Sequence, residues 1–580
     1  MRYRSTRDVD SAQKLTFEQA LFEGLAPDGG LYIPEAIPQV PLSKILSWAN
    51  LSYSELALEI FRLYIDESEI SVSDLADIVE RSYATFTHKD ITPLVKLPNV
   101  ASEEENARSH HNLENLYVLE LFHGPTCAFK DVALQFVGNA FEYFLKRRNQ
   151  NKASPSDRDH RITVVGATSG DTGGAAIYGL RGKENVSVFI LHPKGRISPV
   201  QEQQMTSVLD DNVFNIAVEG SFDDCQDIVK ALFSDLDFKK RFQLGAVNSI
   251  NWARIMAQIT YYFYSYFALL KAKGVPLDTA SYAVLTKIRF SVPTGNFGDI
   301  LAGYFALRMG LPIDRLIIAT NENDILHRFL ETGSYTKPTT TCPVSGDLVR
   351  ATLSPAMDIL ISSNFERLLW YLANGDGRTP AESPDAQAAS EAIREWMSTL
   401  KSTGGFSVPE TVLERARQVF DSVCVSNADT TDAIKRYYHH QYSQALDQDQ
   451  LSNPTLPAGA RSSYVLDPHT AVGVVAAERI LLSDASIGSA AAVNVVCLST
   501  ASPGKFPEAV LTAINESVPT ESTQLGFVPV EYRDIAPQVL VDLEGLPKRC
   551  IFVETEGGNK AVGEKAIRHI LEEKVGAGFV

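Results

Sequence analysis

Gly166-Ala167-Thr168-Ser169-Gly170-Asp171-Thr172-Gly173-Gly174 places four glycines and three hydroxyls in nine residues. Glycine lets backbone approach a ligand closely, and a helix start beyond such a turn offers free N–H groups to an anion. A plain tight turn remains the alternative. The spacing is neither GxGxxG nor that of a P-loop. Pro293-Thr294-Gly295-Asn296-Phe297-Gly298-Asp299 is a second glycine turn that could nest a phosphate, though an ordinary connection explains it equally well. In Phe122-His123-Gly124-Pro125-Thr126-Cys127-Ala128-Phe129-Lys130-Asp131, a lysine falls at the head of a predicted helix. The positive end of the helix dipole and the apolar neighbours favour a neutral amine, the form an imine with a carbonyl group requires. On residue chemistry alone, a surface lysine or an ion pair with Asp131 explains Lys130 more readily. Asn248-Ser249-Ile250-Asn251-Trp252-Ala253-Arg254 gathers donors at another helix start, and Arg254 could grip a phosphate or carboxylate; an N-cap with ordinary polar packing is the competing reading.

The elements that carry these loops alternate. Strands are predicted at Tyr117–Leu121, Ile162–Val165, Val186–Leu191, Ile288–Val292, Leu316–Ala319, Val493–Leu498 and Cys550–Val553. Helices are predicted at Asp131–Arg147, Thr172–Leu180 and Asp299–Met309, with Thr16–Glu23, Leu51–Asp66 and Val72–Thr85 ahead of them. Such βαβ order implies α/β architecture with parallel sheets, and ligands then sit at the carboxyl ends of the strands. The Tyr261, Tyr262, Phe263, Tyr264, Tyr266 and Phe267 stripe reads as core. Residues 374–461 are rich in Ala, Ser, Glu, Gln and Asp and read as a helical insertion, with helices at Ala386–Lys401, Pro409–Cys424 and Thr430–Ala445. The polar stretches Ser102–Asn115 and Asn149–His160 read as linkers or loop tips.

The chain has 580 residues, 53 Lys plus Arg against 71 Asp plus Glu, and a net charge of −18. That field repels nucleic acid and anionic membrane, so neither is an expected partner. Six scattered cysteines, without CxxC or zinc spacing, suggest free thiols in a reducing compartment. The start lacks an apolar signal stretch, which makes the cytoplasm the default location. Eleven histidines without paired-ligand spacing predict no metal site, and the absence of GxSxG argues against a serine hydrolase.

Taken in order, GLAPDGGLYIPE, HGPTCAFKD, GATSGDTGG, PKGRISPVQEQQM, NSINWARI, PTGNFGD, SPAMDILISSNFERLLW and LSTASPGKF closely resemble the threonine synthases in their long fungal and bacterial form. These are pyridoxal-phosphate lyases of the tryptophan-synthase-β structural class. The resemblance spans nearly the whole chain and is weakest in the inserted helices. It implies a fold type II pyridoxal-phosphate enzyme. Its parts would be an N-terminal domain (1–100), a cofactor-binding α/β core (101–373), the helical insertion (374–461) and the rest of the core (462–580). It implies that Lys130 carries pyridoxal 5′-phosphate, that Gly295, Asn296, Phe297 and Asp299 surround the cofactor phosphate, and that Thr500 lies beside the pyridine nitrogen. Thr168, Ser169, Asp171, Thr172, Asn248, Ser249, Asn251 and Arg254 would form the substrate pocket. The implied reaction is the last step of threonine biosynthesis, from O-phospho-L-homoserine and water to L-threonine and phosphate. A related phospho-lyase that releases 2-oxobutyrate and ammonia is the alternative. One departure is Ser502, where members often carry His. Monomer and homodimer both remain open.

Overall fold

The structure, a computed structural model, describes residues 1–10, 14–100, 113–276, 288–338, 349–375, 384–447, 463–486, 493–516, 529–555 and 559–576. Most of the first polar linker and Cys342 lie outside these residues. Among the described residues fifteen strands run in chain order: β1 (Tyr3–Ser5), β2 (Tyr32–Pro34), β3 (Leu94–Lys96), β4 (Leu116–Glu120), β5 (Ile162–Ala167), β6 (Val186–Pro193), β7 (Val213–Val218), β8 (Leu244–Gly245), β9 (Ile288–Pro293), β10 (Ile313–Thr320), β11 (Ser334–Thr336), β12 (Gly405–Ser407), β13 (Phe420–Cys424), β14 (Asn494–Ser499) and β15 (Ile551–Val553).

Two sheets organise the molecule. One has six strands in the order β13-β10-β9-β14-β4-β3, and the other has five in the order β15-β7-β6-β5-β8. All their pairings are parallel except β3 with β4. Parallel strands are covered on both faces, which explains their apolar runs. The alternation read from the sequence is therefore present, with strand ends shifted by a few residues.

One part of that reading is corrected. The predicted helix Pro409–Cys424 is a helix only over Glu410–Val419. Phe420–Cys424 is instead β13, pairing in register from Leu316 with Phe420 to Thr320 with Cys424. The segment read as a helical insertion thus supplies an edge strand of the larger sheet. Helices at Ala386–Thr403 and Asn427–Asp447 flank it. The predicted helix Leu51–Asp66 also closes early, at Phe61, in a run of turns.

The helix Trp252–Ala272 lies between the N-terminal layer and the larger sheet. Trp48 meets Phe263, Tyr53 meets Tyr264 and Tyr3 meets Trp252 on one side, while Tyr262 meets Phe290 on the other. Its aromatic stripe is core, as expected for a helix apolar on every side. The N-terminal helices start on local signals. Thr16 with Gln19 and Ser52 with Glu55 form capping boxes, and Ser71 accepts from the Asp74 N–H.

Helices Lys130–Gln150 and Asp171–Leu180 touch backbone to backbone. A Cβ on Gly138 would come within 1.9 Å of the Gly179 carbonyl oxygen. Only glycine permits that approach, and it brings the two helix starts, with Lys130 and Asp171, to one place.

Candidate active site

The Lys130 loop is held against the segment after β14. Phe129 N–H donates to the Thr500 carbonyl at 2.8 Å, Ser502 N–H donates to the Cys127 carbonyl at 3.0 Å, and Ala128 bridges Ala501. This zipper sets the loop ahead of Lys130 against the Thr500–Ser502 segment. Asp131 is not the lysine's partner. Its carboxylate accepts from Thr126 N–H (2.8 Å) and Thr126 Oγ1 (2.7 Å), closing the turn. Burial pushes the Asp131 carboxyl up to about 6, against those hydrogen bonds.

Lys130 is 8% exposed, and its Nζ lies 3.4 Å from Asp171 Oδ2. Burial lowers its basicity; Asp171 opposes this, while the positive charges of Lys505 and Arg254 reinforce it. Asp171 Oδ1 takes Lys505 Nζ at 2.9 Å and Gln201 Nε2 at 2.9 Å. Burial would push that carboxyl up, but Lys505, Lys130 and His469 outweigh it and hold it well below the usual carboxylate range. The Asp171 side chain is therefore a counter-ion for lysines within the expected anion pocket. Gly170 makes this possible: with φ at +144°, a Cβ there would come 2.1 Å from the Gln201 amide oxygen.

In the same loop, Thr168 Oγ1 accepts from Gly170 and Gly173 N–H and donates to the Gly170 carbonyl, so it shapes the turn. Ser169 is exposed and Thr172 half-buried. The second glycine turn is tied to the fourth candidate segment by Ser362–Asn364. Ser362 Oγ donates to the Gly295 carbonyl at 2.7 Å, and Ser363 Oγ meets both Asn296 Oδ1 and Ser249 Oγ at 3.2 Å. Asn364 Nδ2 donates to the Asn296 and Ser249 carbonyls. Phe297 sits left-handed at φ +62° and packs on Phe365 and Phe420. The helix Gly298–Met309 begins here, with Leu301 N–H bonded to the Phe297 carbonyl. The N–H groups before Leu301 precede the helical ladder and suit an anion.

Two candidates turn their side chains elsewhere. Asp299 accepts from Tyr261 Oη at 2.5 Å and Tyr262 Oη at 2.9 Å, and burial pushes its carboxyl up to about 6 despite them. Asn251 caps its helix through Ala253 N–H and donates to the Leu21 carbonyl. Asn248 is exposed and Ser249 half-buried.

Arg254 is 4% exposed and donates through Nη1 to the Val247 carbonyl at 3.1 Å. Its Nε has no hydrogen-bond partner, and no carboxylate pairs with it among the described residues. Burial pushes its guanidinium down to about 10. Lys130, Lys505 and Arg254 against Asp171 leave a net positive buried centre in an acidic protein. A buried lysine, a helix start and a guanidinium with an unmet Nε form a donor set that fits an aldehyde cofactor bearing a phosphate.

Sequence reasoning missed several participants. Lys505, Gln201 and Gln204 stand inside the quoted motifs but were given no role. His469 was missed altogether. It follows Asp467, whose carboxylate holds its Nδ1 at 3.0 Å, and its Nε2 accepts from Ala356 N–H at 3.2 Å. The available signal was Asp-Pro-His-Thr at the start of an apolar helix. His439, on the helix Asn427–Asp447, is half-buried, with Nε2 at 3.1 Å from the Ile514 carbonyl. Five described cysteines are free thiols.

Comparison with known proteins points to one family. Residues 2–83 match the family model for the threonine synthase N terminus, 86–408 the one for pyridoxal-phosphate-dependent enzymes, and 470–569 the one for the threonine synthase C-terminal region. The chain is 50% identical to the threonine synthase of Saccharomyces cerevisiae over 95% of each chain. The crystal structure of threonine synthase from yeast superposes with a TM-score of 0.81 at 47% identity, covering 99% of both chains. The pyridoxal-phosphate-bound threonine synthase from Brucella melitensis gives 0.74 at 38% identity, covering 98% of this chain and 99% of that one. The chain belongs to the threonine synthase family and is a pyridoxal-phosphate-dependent lyase with the type II fold of that class.

Proposed function

We propose that the protein converts O-phospho-L-homoserine and water to L-threonine and phosphate, with Lys130 as the cofactor-bearing lysine and catalytic base. The observation that carries this reading is the buried Lys130 amine, sharing one carboxylate with Lys505 in a centre where no carboxylate of the described residues pairs with Arg254. Pyridoxal phosphate supplies an electron sink for the carbanion formed at the substrate's α-carbon. The helix start at Gly298 and the turn Gly295–Phe297 suit the cofactor phosphate. Arg254 and the Ser249 hydroxyl suit the substrate's phosphate, and the turn at Thr168–Thr172 its carboxylate.

Thr500 would lie beside the pyridine nitrogen of the bound cofactor, and its neutral hydroxyl would leave that nitrogen less firmly protonated than a carboxylate would. The Lys130 amine removes the α-proton. A β-proton then leaves, the Cγ–O bond breaks and phosphate departs. Water adds its oxygen at Cβ, and protons return to the carbon chain. Burial makes the amine reluctant to hold a proton, and the Asp171 carboxylate opposes that, so the amine can still take one. The free thiols of the described residues fit a cytoplasmic enzyme.

Lys130→Ala is the direct test. It should abolish the cofactor's visible absorbance and lower threonine formation by at least about 10³-fold; retained turnover overturns the assignment. A product assay on O-phospho-L-homoserine tests the reaction itself. L-Threonine with equimolar phosphate is expected, and 2-oxobutyrate as the main product would make the protein a phospho-lyase instead.

A further inference from the structure

Lys505 is fully buried, in the short turn Pro503–Lys505 that follows Thr500. A buried ammonium is costly unless every donor is met. Here Nζ donates to the Thr126 carbonyl at 2.9 Å and to Gln204 Oε1 at 3.2 Å, and it pairs with Asp171 Oδ1 at 2.9 Å. The three acceptors come from three segments: the Lys130 loop, the helix Pro199–Thr206 and the helix Asp171–Leu180. Gln201 adds a second donor to the same Oδ1. Both close contacts thus fall on one carboxylate oxygen, and Oδ2 faces Lys130.

The Lys130–Oδ2 distance of 3.4 Å is loose beside the ~2.8 Å of a strong charge-assisted bond. Lys505 is held tightly and Lys130 weakly, although both are lysines beside one acid. That asymmetry suits a pair in which one amine is a fixed charge and the other must come and go.

We propose that Lys505 is a positioning residue: by clamping Asp171 Oδ1 it fixes Oδ2 as the berth of the Lys130 amine whenever substrate displaces it. This rests on the reading of Lys130 as the cofactor lysine. The nearby ammonium also opposes a second positive charge at the berth, so the displaced amine is kept ready to accept the α-proton. Asp171 alone would do the reverse and hold Lys130 as a charged partner.

The two groups therefore act on Lys130 with opposite sign, which a merely structural tie would not do. The test titrates the visible absorbance of the holoenzyme against pH and follows the acid limb of kcat in parallel. Lys505→Met should raise both midpoints by about one pH unit or more. Asp171→Asn should lower them. Lys505→Arg, which keeps the charge, should leave them within a few tenths of a unit. Loosened packing would admit water and move both variants the same way, and such a shared direction overturns the proposal. So does an unchanged midpoint in Lys505→Met. If Lys505→Met does not fold, the Asp171→Asn titration decides: an upward or absent shift overturns it. Borohydride trapping and peptide mapping identify the cofactor-bearing lysine separately. A label on another lysine would remove the premise, while the titration tests only the roles of Lys505 and Asp171.

Discussion

Asp171 and Asp299 occupy matching places in the two sheets. Each follows a parallel strand and a glycine turn, each lies in the first turn of a helix, and each is more than nine-tenths buried. Their partners differ. Asp171 meets two ammoniums and an amide, while Asp299 meets two phenols. The first carboxyl is held far below its ordinary range, and the second is pushed up to about 6. Burial raises both, so the motif and its depth do not decide the ionisation. What decides it is whether a distant segment brings a cation. For Asp171 that segment is the turn after β14. For Asp299 the neighbouring helix brings only Tyr261 and Tyr262.

The two acids should therefore respond oppositely to removal. Asp171→Ala leaves buried ammoniums without a counter-ion and should cost about 3–5 kcal/mol at pH 7, read by denaturant unfolding. A cost below ~1 kcal/mol would erase the contrast. Asp171 is depressed, so its contribution is present above the unfolded value near pH 4 and fades only as pH falls further.

Asp299 is raised, so the stability it lends is full below about pH 4 and is lost as pH climbs through about 6. Asp299→Asn should thus gain about 2–3 kcal/mol at pH 7.5 and almost nothing at pH 4. An equal effect at both pH values would break the comparison from the other side. The smallest effect belongs to Tyr261→Phe. It removes one donor to Asp299 and should cost about 1–2 kcal/mol at pH 7.5, with less loss at pH 4. Calorimetry of the single and double variants with Asp299→Asn would show whether the two are coupled.

Much of this was legible in the sequence because it is local. Glycine and hydroxyl turns between apolar runs announce strand-to-helix connections, and a helix apolar on all sides announces burial. The loops around Lys130, Gly295 and Gly166 were found on those signals. The Lys505–Asp171 pair was not, because an ion pair between segments so far apart in the chain leaves no periodic trace. Asn251 and Asp299 were assigned to the site by their loops; the fold decides for the competing N-cap reading at Asn251 and turns Asp299 onto two phenols, which no local signal announced. Phe420–Cys424 was hidden for another reason. Its five residues continue directly from a helix with no glycine or proline between, so helical periodicity carried the reading too far.

That strand has a consequence for attempts to miniaturise the enzyme. Residues 374–461 look dispensable when read as an insertion, yet β13 occupies the outer rim of the larger sheet, and its main chain pairs with the side of β10 turned away from β9, from Leu316 to Thr320. Excising the stretch would bare a flat, apolar ribbon of unsatisfied backbone, the kind of surface on which chains stack and precipitate. A smaller catalyst would have to keep those five residues, or replace them with a strand of its own.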